Sequence, residues 1–255
     1  MYNQSKIILL SLVFVTVTGC SMSRAVNKTL SPPADTKWVN VEVKNPSQYT
    51  KPFPLEVRYI SYECKKKRIS GFDGSVIMEP SYNVIQIPMK QQSGDNWNGK
   101  VAMTGGGLCK WTLSALTLGI QYIDATHLGK DLVPGTAVGV SLAFDNDASR
   151  NGQFETLSDS TPIFSSTYYP LVKTNKIIRE NHSLSIFGEE DFLQKKINLN
   201  DSVSVKFIPN LDESKVVKMV APKEHKVGAY YKIIYPDGTV VSDGSTHPDI
   251  SKVEK

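Results

Sequence analysis

The sequence predicts a mainly β, sandwich-like fold with one disulfide, and it leaves room for one or two short helices in an α+β variant. Short runs that alternate apolar and polar residues recur along most of the 255 residues. Clusters of Gly, Pro, Asn and Asp separate these runs, and no long segment has the 3.6-residue period of an amphipathic helix. A hydrophobic content of 40% supplies a core for one large β domain or two smaller ones.

The first element is an export signal. One cation, Lys6, precedes an apolar core over residues 7–17, which runs into Val17-Thr18-Gly19-Cys20. This core is about half as long as the roughly 20 apolar residues that a transmembrane helix needs. The residues before the cysteine resemble the substrate of lipoprotein signal peptidase, which implies a signal peptide over residues 1–19 and acyl chains such as palmitate on Cys20. An ordinary secretory signal with Cys20 as a plain thiol is the alternative, and both interpretations export the chain.

The residues after Cys20 indicate a destination. On this resemblance Cys20 carries three acyl chains, which anchor a protein far more firmly than one myristoyl chain does. Ser21 stands where lipoproteins retained at the inner membrane commonly carry aspartate, so the resemblance implies the outer membrane of a bacterial envelope, facing the periplasm. Residues 20–37 are polar and contain Pro32-Pro33, a composition that predicts a lipidated tether.

Charge argues against a nucleic-acid partner. Removal of Lys6 with the signal peptide leaves 28 Lys and Arg against 25 Asp and Glu, a net charge of +3. A nucleic-acid-binding domain normally carries a strongly basic face.

Two cysteines remain once Cys20 is assigned to lipid. Cys64 and Cys109 lie in an oxidising compartment, so we expect them to pair. Closing a loop of about 45 residues would stabilise the fold by roughly 4 kcal/mol in the chain-entropy treatment. Two buried free thiols are the alternative.

Strand patterns fill most of the mature chain and suggest two parts. We expect an N-terminal β-rich domain over residues 38–155 and a C-terminal β-rich part, or second subdomain, over 156–255, with candidate boundaries at 150–160 and 195–202. The best helix candidate is Glu189–Ile197, after Gly188, and residues 145–160 read as a long loop. The expected strands are 38–43, 55–62, 83–89, 100–104, 111–123, 136–144, 202–208 and 215–220, followed by a hairpin over 230–241 around Pro236-Asp237-Gly238.

One motif approximates a hydrolase. Gly139-Val140-Ser141-Leu142-Ala143 resembles a nucleophile elbow, Thr104-Gly105-Gly106-Gly107 resembles an oxyanion loop, and Asp159 and His182 follow downstream. An elbow needs a helix directly after the serine, whereas Phe144-Asp145-Asn146-Asp147 leads into a loop. A buried strand is the better interpretation, so we do not expect an enzyme.

Metal and nucleotide motifs are incomplete. Asp147, Ser149, Asn151 and Gly152 follow the early spacing of an EF-hand, but Ser158 stands where the bidentate glutamate belongs. The triple glycine lacks the Lys-Ser/Thr of a phosphate loop. His127, His182, His225 and His247 share no zinc-type spacing. We therefore expect no cofactor and no metal.

A basic run directly follows Cys64. Lys65, Lys66, Lys67 and Arg68 would be held on a rigid scaffold by a disulfide at that cysteine. Such a run is usually a solvated face. The functional interpretation is a docking patch for an acidic partner or for lipid headgroups.

Three segments carry a family resemblance. They are residues 62–71 (Tyr62 to Gly71), 105–111 (Gly105 to Trp111) and 143–152 (Ala143 to Gly152). Together they resemble the lipase-immunity lipoproteins that enterobacteria carry beside type VI secretion phospholipase effectors, most clearly over about residues 55–155.

The resemblance implies a non-catalytic periplasmic inhibitor. Such a protein binds a cognate phospholipase toxin and protects the membranes of its producer, and its lipid anchor holds it where the toxin works. Loops such as 63–74 or 145–158 would cover the enzyme's cleft. A structural or assembly lipoprotein of an envelope or secretion complex is the alternative.

Overall fold

The computed structural model describes residues 26–175, 181–198, 201–224 and 226–255. It is mainly β, with 52% strand and 3% helix, and is consistent with the predicted sandwich-like fold. The signal peptide and Cys20 lie outside the described residues, and so does His225.

Within these described ranges the chain forms twenty strands. The first ten are β1 (Trp38–Lys44), β2 (Thr50–Pro52), β3 (Leu55–Ile69), β4 (Val76–Ile87), β5 (Lys90–Ser93), β6 (Asn96–Ala102), β7 (Thr104–Gly106), β8 (Trp111–Tyr122), β9 (Val133–Pro134) and β10 (Val138–Ala143). The others are β11 (Glu155–Leu157), β12 (Ile163–Phe164), β13 (Thr167–Asn175), β14 (Asn181–Phe187), β15 (Phe192–Ile197), β16 (Val203–Phe207), β17 (Asn210–Leu211), β18 (Val217–Val220), β19 (Lys232–Ile234) and β20 (Val240–Val241). A 3₁₀ turn spans Thr126–Leu128, and α1 spans Ile250–Val253.

The strands form three sheets. A five-stranded sheet has the order β12-β16-β1-β6-β5, and an eight-stranded sheet has the order β11-β15-β10-β8-β3-β4, with β2 and β7 also paired to β8. The third sheet has the order β20-β19-β18-β13-β14-β9, with β17 paired to β13.

The main core draws on the five-stranded and the eight-stranded sheets. Val39, Val41 and Val43 of β1 are buried, while Asn40 and Glu42 between them are not. This alternation directs one face of β1 inward, where its valines join a core cluster with apolar residues of β3, β8 and β10. A smaller cluster forms between the third sheet and α1.

The chain crosses the predicted boundary at residue 155. β11 lies across it, and β15 pairs in parallel with β10 in the eight-stranded sheet. β16 pairs in parallel with β1, with Val203 opposite Val39. Residues after 156 therefore complete both sheets, and they also supply most strands of the third sheet with its smaller core cluster, so the expected division into 38–155 and 156–255 stays a prediction.

The predicted helix over Glu189–Ile197 is wrong. Its last six residues form β15, an interior strand between β10 and β11. Parallel neighbours on both sides supply backbone hydrogen bonds that outweigh a weak helix propensity. The other predicted strands are present, some of them longer or shorter than expected, and the Pro236-Asp237-Gly238 turn joins β19 to β20 as predicted.

The predicted tether is docked over its described part. Ser31 N–H donates to the Gly105 carbonyl at 2.8 Å and bridges in parallel to Gly106. The Trp111 indole donates to the Asn27 carbonyl at 3.1 Å, and the Asn83 amide donates to the Lys28 carbonyl at 2.9 Å. Val26 and Leu30 also pack against the core. A tether over 20–37 is therefore wrong for residues 26–37, because buried backbone and indole groups take hydrogen-bond partners from this segment.

Candidate docking surface

The predicted disulfide joins Cys64 to Cys109, with 5.3 Å between their Cα atoms. Cys64 lies in β3, and Cys109 is buried in the turn before β8. Ser61 reinforces the link, because its hydroxyl donates to the Cys109 carbonyl and accepts from the Cys64 N–H at 3.0 Å. The disulfide prediction is confirmed.

A two-stranded arm leaves the sheet beside this disulfide. β3 pairs with β8 only as far as Ile60, but with β4 as far as Ile69 opposite Val76. The register of β3 and β4 shifts between Ser61 and Lys65, which is a bulge of the kind that bends and twists a strand. We call residues 62–80 the hairpin arm. Its base is fixed by the Cys64–Cys109 bond.

The basic run lies on this arm, but its four cations are not equivalent. Arg68 forms an ion pair with Glu79 on the opposite strand, and Lys66 Nζ lies 4.0 Å from the same carboxylate. Lys65 and Lys67 form no ion pair with any residue that the structure describes. Two of the four predicted docking cations are therefore available to a ligand.

The end of the arm is apolar and exposed. Phe72 is fully exposed, Ile69 is 71% exposed and Val76 63% exposed. Met78, which lies opposite Lys67, is half exposed. We call Ile69, Phe72, Val76 and Met78 the apolar tip. Sequence reasoning missed it, although apolar residues on both sides of Gly71 and Gly74 were a visible signal for a hairpin with an unpaired apolar end.

A second surface lies at the base of the arm, where Asp147 joins two strands to a loop. Arg58 Nη2 donates to Asp147 Oδ2 at 2.9 Å, and the Tyr82 hydroxyl donates to Asp147 Oδ1 at 3.0 Å. The Arg58 guanidinium also lies 4.9 Å from the centre of the Tyr82 ring. With the exposed side chains of Tyr62 and Val84, these residues form what we call the tyrosine face.

The loop that carries Asp147 is held by an internal hydrogen bond and by two residues with left-handed backbone conformation. The Asp145 side chain accepts from the Ala148 N–H at 2.6 Å, and Arg150 and Asn151 have left-handed φ angles of 51° and 56°. Partial burial, followed by the charges of Asp145 and Asp147, raises the pKa of Tyr62. Burial, followed by the hydrogen bond to Asp147, likewise raises the pKa of Tyr82, so both tyrosines are neutral hydrogen-bonding groups beside an acidic loop.

Residues 62–71, 105–111 and 143–152 lie around the tyrosine face and the arm. The disulfide joins 62–71 to 105–111, and Lys110 Nζ lies 3.4 Å from Glu63 Oε1. Asp147 attaches 143–152 to β3 and β4. Segments separated by more than 30 residues in the sequence are thus linked through the disulfide and through strands β3 and β4.

Ser141 does not sit on a nucleophile elbow. β10 is followed by the turns of residues 145–152 and not by the helix that an elbow requires. Ser141 Oγ lies 3.4 Å from Thr117 Oγ1 and lines a cavity of about 390 Å³ with Arg58, Asp147 and Phe154, and no histidine lines this cavity in the described part of the chain. Asp159 accepts from Thr161 in its own turn, and His182 Nδ1 lies 3.1 Å from Thr174 Oγ1 in the third sheet.

The remaining histidines have separate environments. His127 stacks on Tyr49 with 3.7 Å between ring centres, and its Nε2 lies 2.9 Å from Glu213 Oε1. His247 Nε2 lies 3.3 Å from the Gly188 carbonyl. Within the described ranges, no group of three His, Cys, Asp or Glu residues is placed to hold a metal ion.

In comparisons with protein-family models, curated proteins and solved structures, nothing matches this chain. In the part of the chain that the structure covers, no helix has the length and apolar character needed to span a membrane. A functional assignment must therefore be argued from the surface itself.

Proposed function

We propose that this chain is a lipid-anchored periplasmic immunity protein that binds and inhibits a cognate type VI secretion phospholipase toxin. The observation that carries the proposal is that the disulfide joins residues 62–71 to 105–111 at the base of the arm, while Asp147 of residues 143–152 bonds to Arg58 and Tyr82 on the adjacent strands β3 and β4. These segments resemble the lipase-immunity lipoproteins, and a shared binding site is a physical reason for distant segments to assemble together.

The chemistry of the tyrosine face supports a protein partner. Tyrosine and arginine supply much of the binding energy at protein interfaces, because they bury large areas and still form hydrogen bonds. Tyr62 and Val84 are more than half exposed, while Arg58 and Tyr82 are already oriented by Asp147. A preorganised face loses little conformational entropy on binding, which favours affinity.

The docked N-terminal segment supports action at a membrane. Cys20 lies six positions before Val26, which is the first residue that the structure describes and which packs against the core. At no more than about 3.5 Å per residue, this connection spans at most about 20 Å. A lipidated Cys20 would therefore hold the tyrosine face close to the surface that a phospholipase must attack, at a high effective concentration.

A co-expression experiment tests the proposal. A cognate phospholipase toxin is directed to the periplasm with the wild-type protein, with Tyr62→Ala or with the control Tyr230→Ala, whose ring is also about half exposed but lies outside this surface. We expect the wild type and Tyr230→Ala to protect the cells. Tyr62→Ala should weaken binding of the purified toxin by about tenfold or more, as loss of an interface tyrosine commonly does.

Two outcomes would contradict the proposal. Survival that does not depend on the protein would remove the immunity role and favour a structural or assembly lipoprotein. Hydrolysis of phospholipids by the purified protein, lost in Ser141→Ala, would show an enzyme instead of an inhibitor.

A further inference from the structure

We infer that the apolar tip of the hairpin arm is a membrane-contact element that inserts into the headgroup region of an anionic phospholipid surface. This contact uses residues beyond the tyrosine face, and it does not require a toxin.

The first argument is the placement of apolar side chains. Phe72 lies in the turn that joins β3 to β4, with its whole side chain exposed, and Ile69 and Val76 face each other across the last pair of the ribbon. The turn is ordered by hydrogen bonds from Ser70 N–H to the Ser75 carbonyl at 2.8 Å and from Gly74 N–H to the Ser70 carbonyl at 3.0 Å. An ordered turn that presents a phenylalanine to water gains free energy when that ring enters an apolar layer.

The second argument is the order of charge along the arm. Lys65 and Lys67 lie on the side of Ile69 nearer the domain, and Met78 stands directly opposite Lys67. With the tip among the headgroups, these cations would lie at the membrane surface, where they attract anionic lipid. Peripheral membrane segments bind through this combination of apolar burial and attraction to anionic lipid.

The third argument is the position of the anchor. Asn27 and Lys28 contact Trp111 and Asn83 next to the base of the arm, so the first described residues of the chain lie beside the arm. The connection to Cys20 spans at most about 20 Å, and the eight residues from Tyr62 to Ile69 extend over roughly 25 Å. The two lengths are comparable, so anchor and tip can reach one membrane plane together.

One residue limits the depth of insertion. The Asp73 carboxylate lies beside Phe72, where it accepts from the Ser75 N–H at 3.1 Å and from the Ser75 hydroxyl at 2.8 Å. A carboxylate resists transfer out of water. The tip therefore rests among the headgroups, and Asp73→Asn should strengthen binding while it keeps the turn.

Vesicle co-sedimentation tests the inference on the mature chain from residue 20 with Cys20→Ala, which removes the acyl anchor. The probes are vesicles of phosphatidylglycerol and phosphatidylcholine in equal parts, and vesicles of phosphatidylcholine alone. We expect binding to the mixed vesicles, with Ile69→Ser and Phe72→Ser each lowering the partition coefficient by about tenfold. Lys65→Gln combined with Lys67→Gln should remove the preference for anionic vesicles.

Ile163→Ser is the matched control for Ile69→Ser, because Ile163 is 61% exposed on the five-stranded sheet. It should bind vesicles as the wild type does. All these side chains are exposed, so unchanged urea midpoints verify that the variants fold.

The inference is overturned if the wild type binds neither vesicle, or if Ile69→Ser and Phe72→Ser bind as the wild type does. Variants that keep vesicle binding but lose toxin inhibition would assign the tip to the partner protein instead. Because the assay contains no toxin, failure of the immunity proposal would leave its result standing.

Discussion

At the scale of single residues, aspartates set many of the turns between strands. In segments of the form Asp-X-Ser/Thr, the aspartate accepts hydrogen bonds from the backbone N–H and the hydroxyl two residues later. The described examples begin at Asp73, Asp124, Asp159, Asp212, Asp237, Asp243 and Asp249. This pattern is readable in the sequence, since such side chains favour turns by bonding to their own backbone.

Acid should loosen these turns. Hydrogen bonds from the serine or threonine two residues on lower the pKa of Asp237, Asp243 and Asp249 below the usual 3.8. A carboxylate with a lowered folded-state pKa stabilises the fold above its unfolded pKa, and that contribution is lost as the pH falls through the folded value. We expect the urea midpoint to decline from about pH 4 downwards. NMR titration should give pKa values below 3.8 for these three residues, and unshifted values would contradict the prediction.

The disulfide should be a major single contribution to stability. Cys64→Ala with Cys109→Ala opens a loop of 45 residues and should lower the free energy of unfolding by about 2 to 5 kcal/mol. Urea unfolding with and without reducing agent measures it. Reducing agent should destabilise the wild type and leave the double variant unchanged. Equal midpoints for the two proteins would show that the arm's base is held by its other contacts.

At the scale of elements, the sequence predicted strands where local alternation was enough and failed where a distant partner decides. Trp38–Lys44 alternates cleanly, and the structure contains it as expected. Phe192–Ile197 has no clear alternation, and it became a strand because β10 and β11 lie on either side. The segment before Lys37 looked like a tether because the residues on which it docks, Gly105, Gly106 and Trp111, lie more than 70 residues from their partners in the sequence.

The candidate site was predictable to a similar extent. The disulfide followed from counting cysteines, and the basic run was visible as a cluster. The neutralisation of Arg68 by Glu79 and the junction of Arg58 and Tyr82 on Asp147 depend on strand register. Register between distant strands is set by the assembled core and cannot be read from local pattern.

Docking of the N-terminal segment can be tested at a glycine. Gly106 has φ +60°, and a Cβ built there would lie 2.2 Å from the Ser31 carbonyl oxygen. Gly94 has a similar φ of +53° but open space around it, so Gly94→Ala reports backbone strain alone. We expect Gly106→Ala to be less stable than Gly94→Ala by about 1 to 3 kcal/mol, through the lost hydrogen bond and the forced displacement of Ser31.

Hydrogen exchange gives the second measurement for this pair. In Gly106→Ala, the amide of Ser31 should exchange faster, whereas in Gly94→Ala it should exchange as in the wild type. Equal protection in both variants would mean that the segment is held elsewhere.

At the scale of the whole molecule, a rigid body of packed sheets carries the two surfaces that we propose for binding, the tyrosine face and the apolar tip. The five- and eight-stranded sheets share one core, and C-terminal strands β15 and β16 complete them. From this body the hairpin arm projects beside the docked N-terminal segment, with the tyrosine face at its base. Because the docked residues 26–31 and the arm lie at the same end of this body, the proposed toxin contact and the inferred membrane contact are compatible in one orientation.

This geometry makes the length of the connection to Cys20 a determinant of function. A flexible insert of 15 Gly and Ser residues between Ala25 and Val26 adds an r.m.s. reach of about 20 Å, which lets the domain rotate and move away from the lipid surface. The effective concentration of the tyrosine face at the membrane then falls. We expect cells with this variant to tolerate about tenfold less periplasmic phospholipase than cells with the wild type.

The matched control places the same insert after Gly228, in an exposed turn of the C-terminal part where a longer loop leaves the anchor connection unchanged. Full protection by both variants would show that binding in solution is sufficient, and that the short connection to Cys20 serves only to retain the protein.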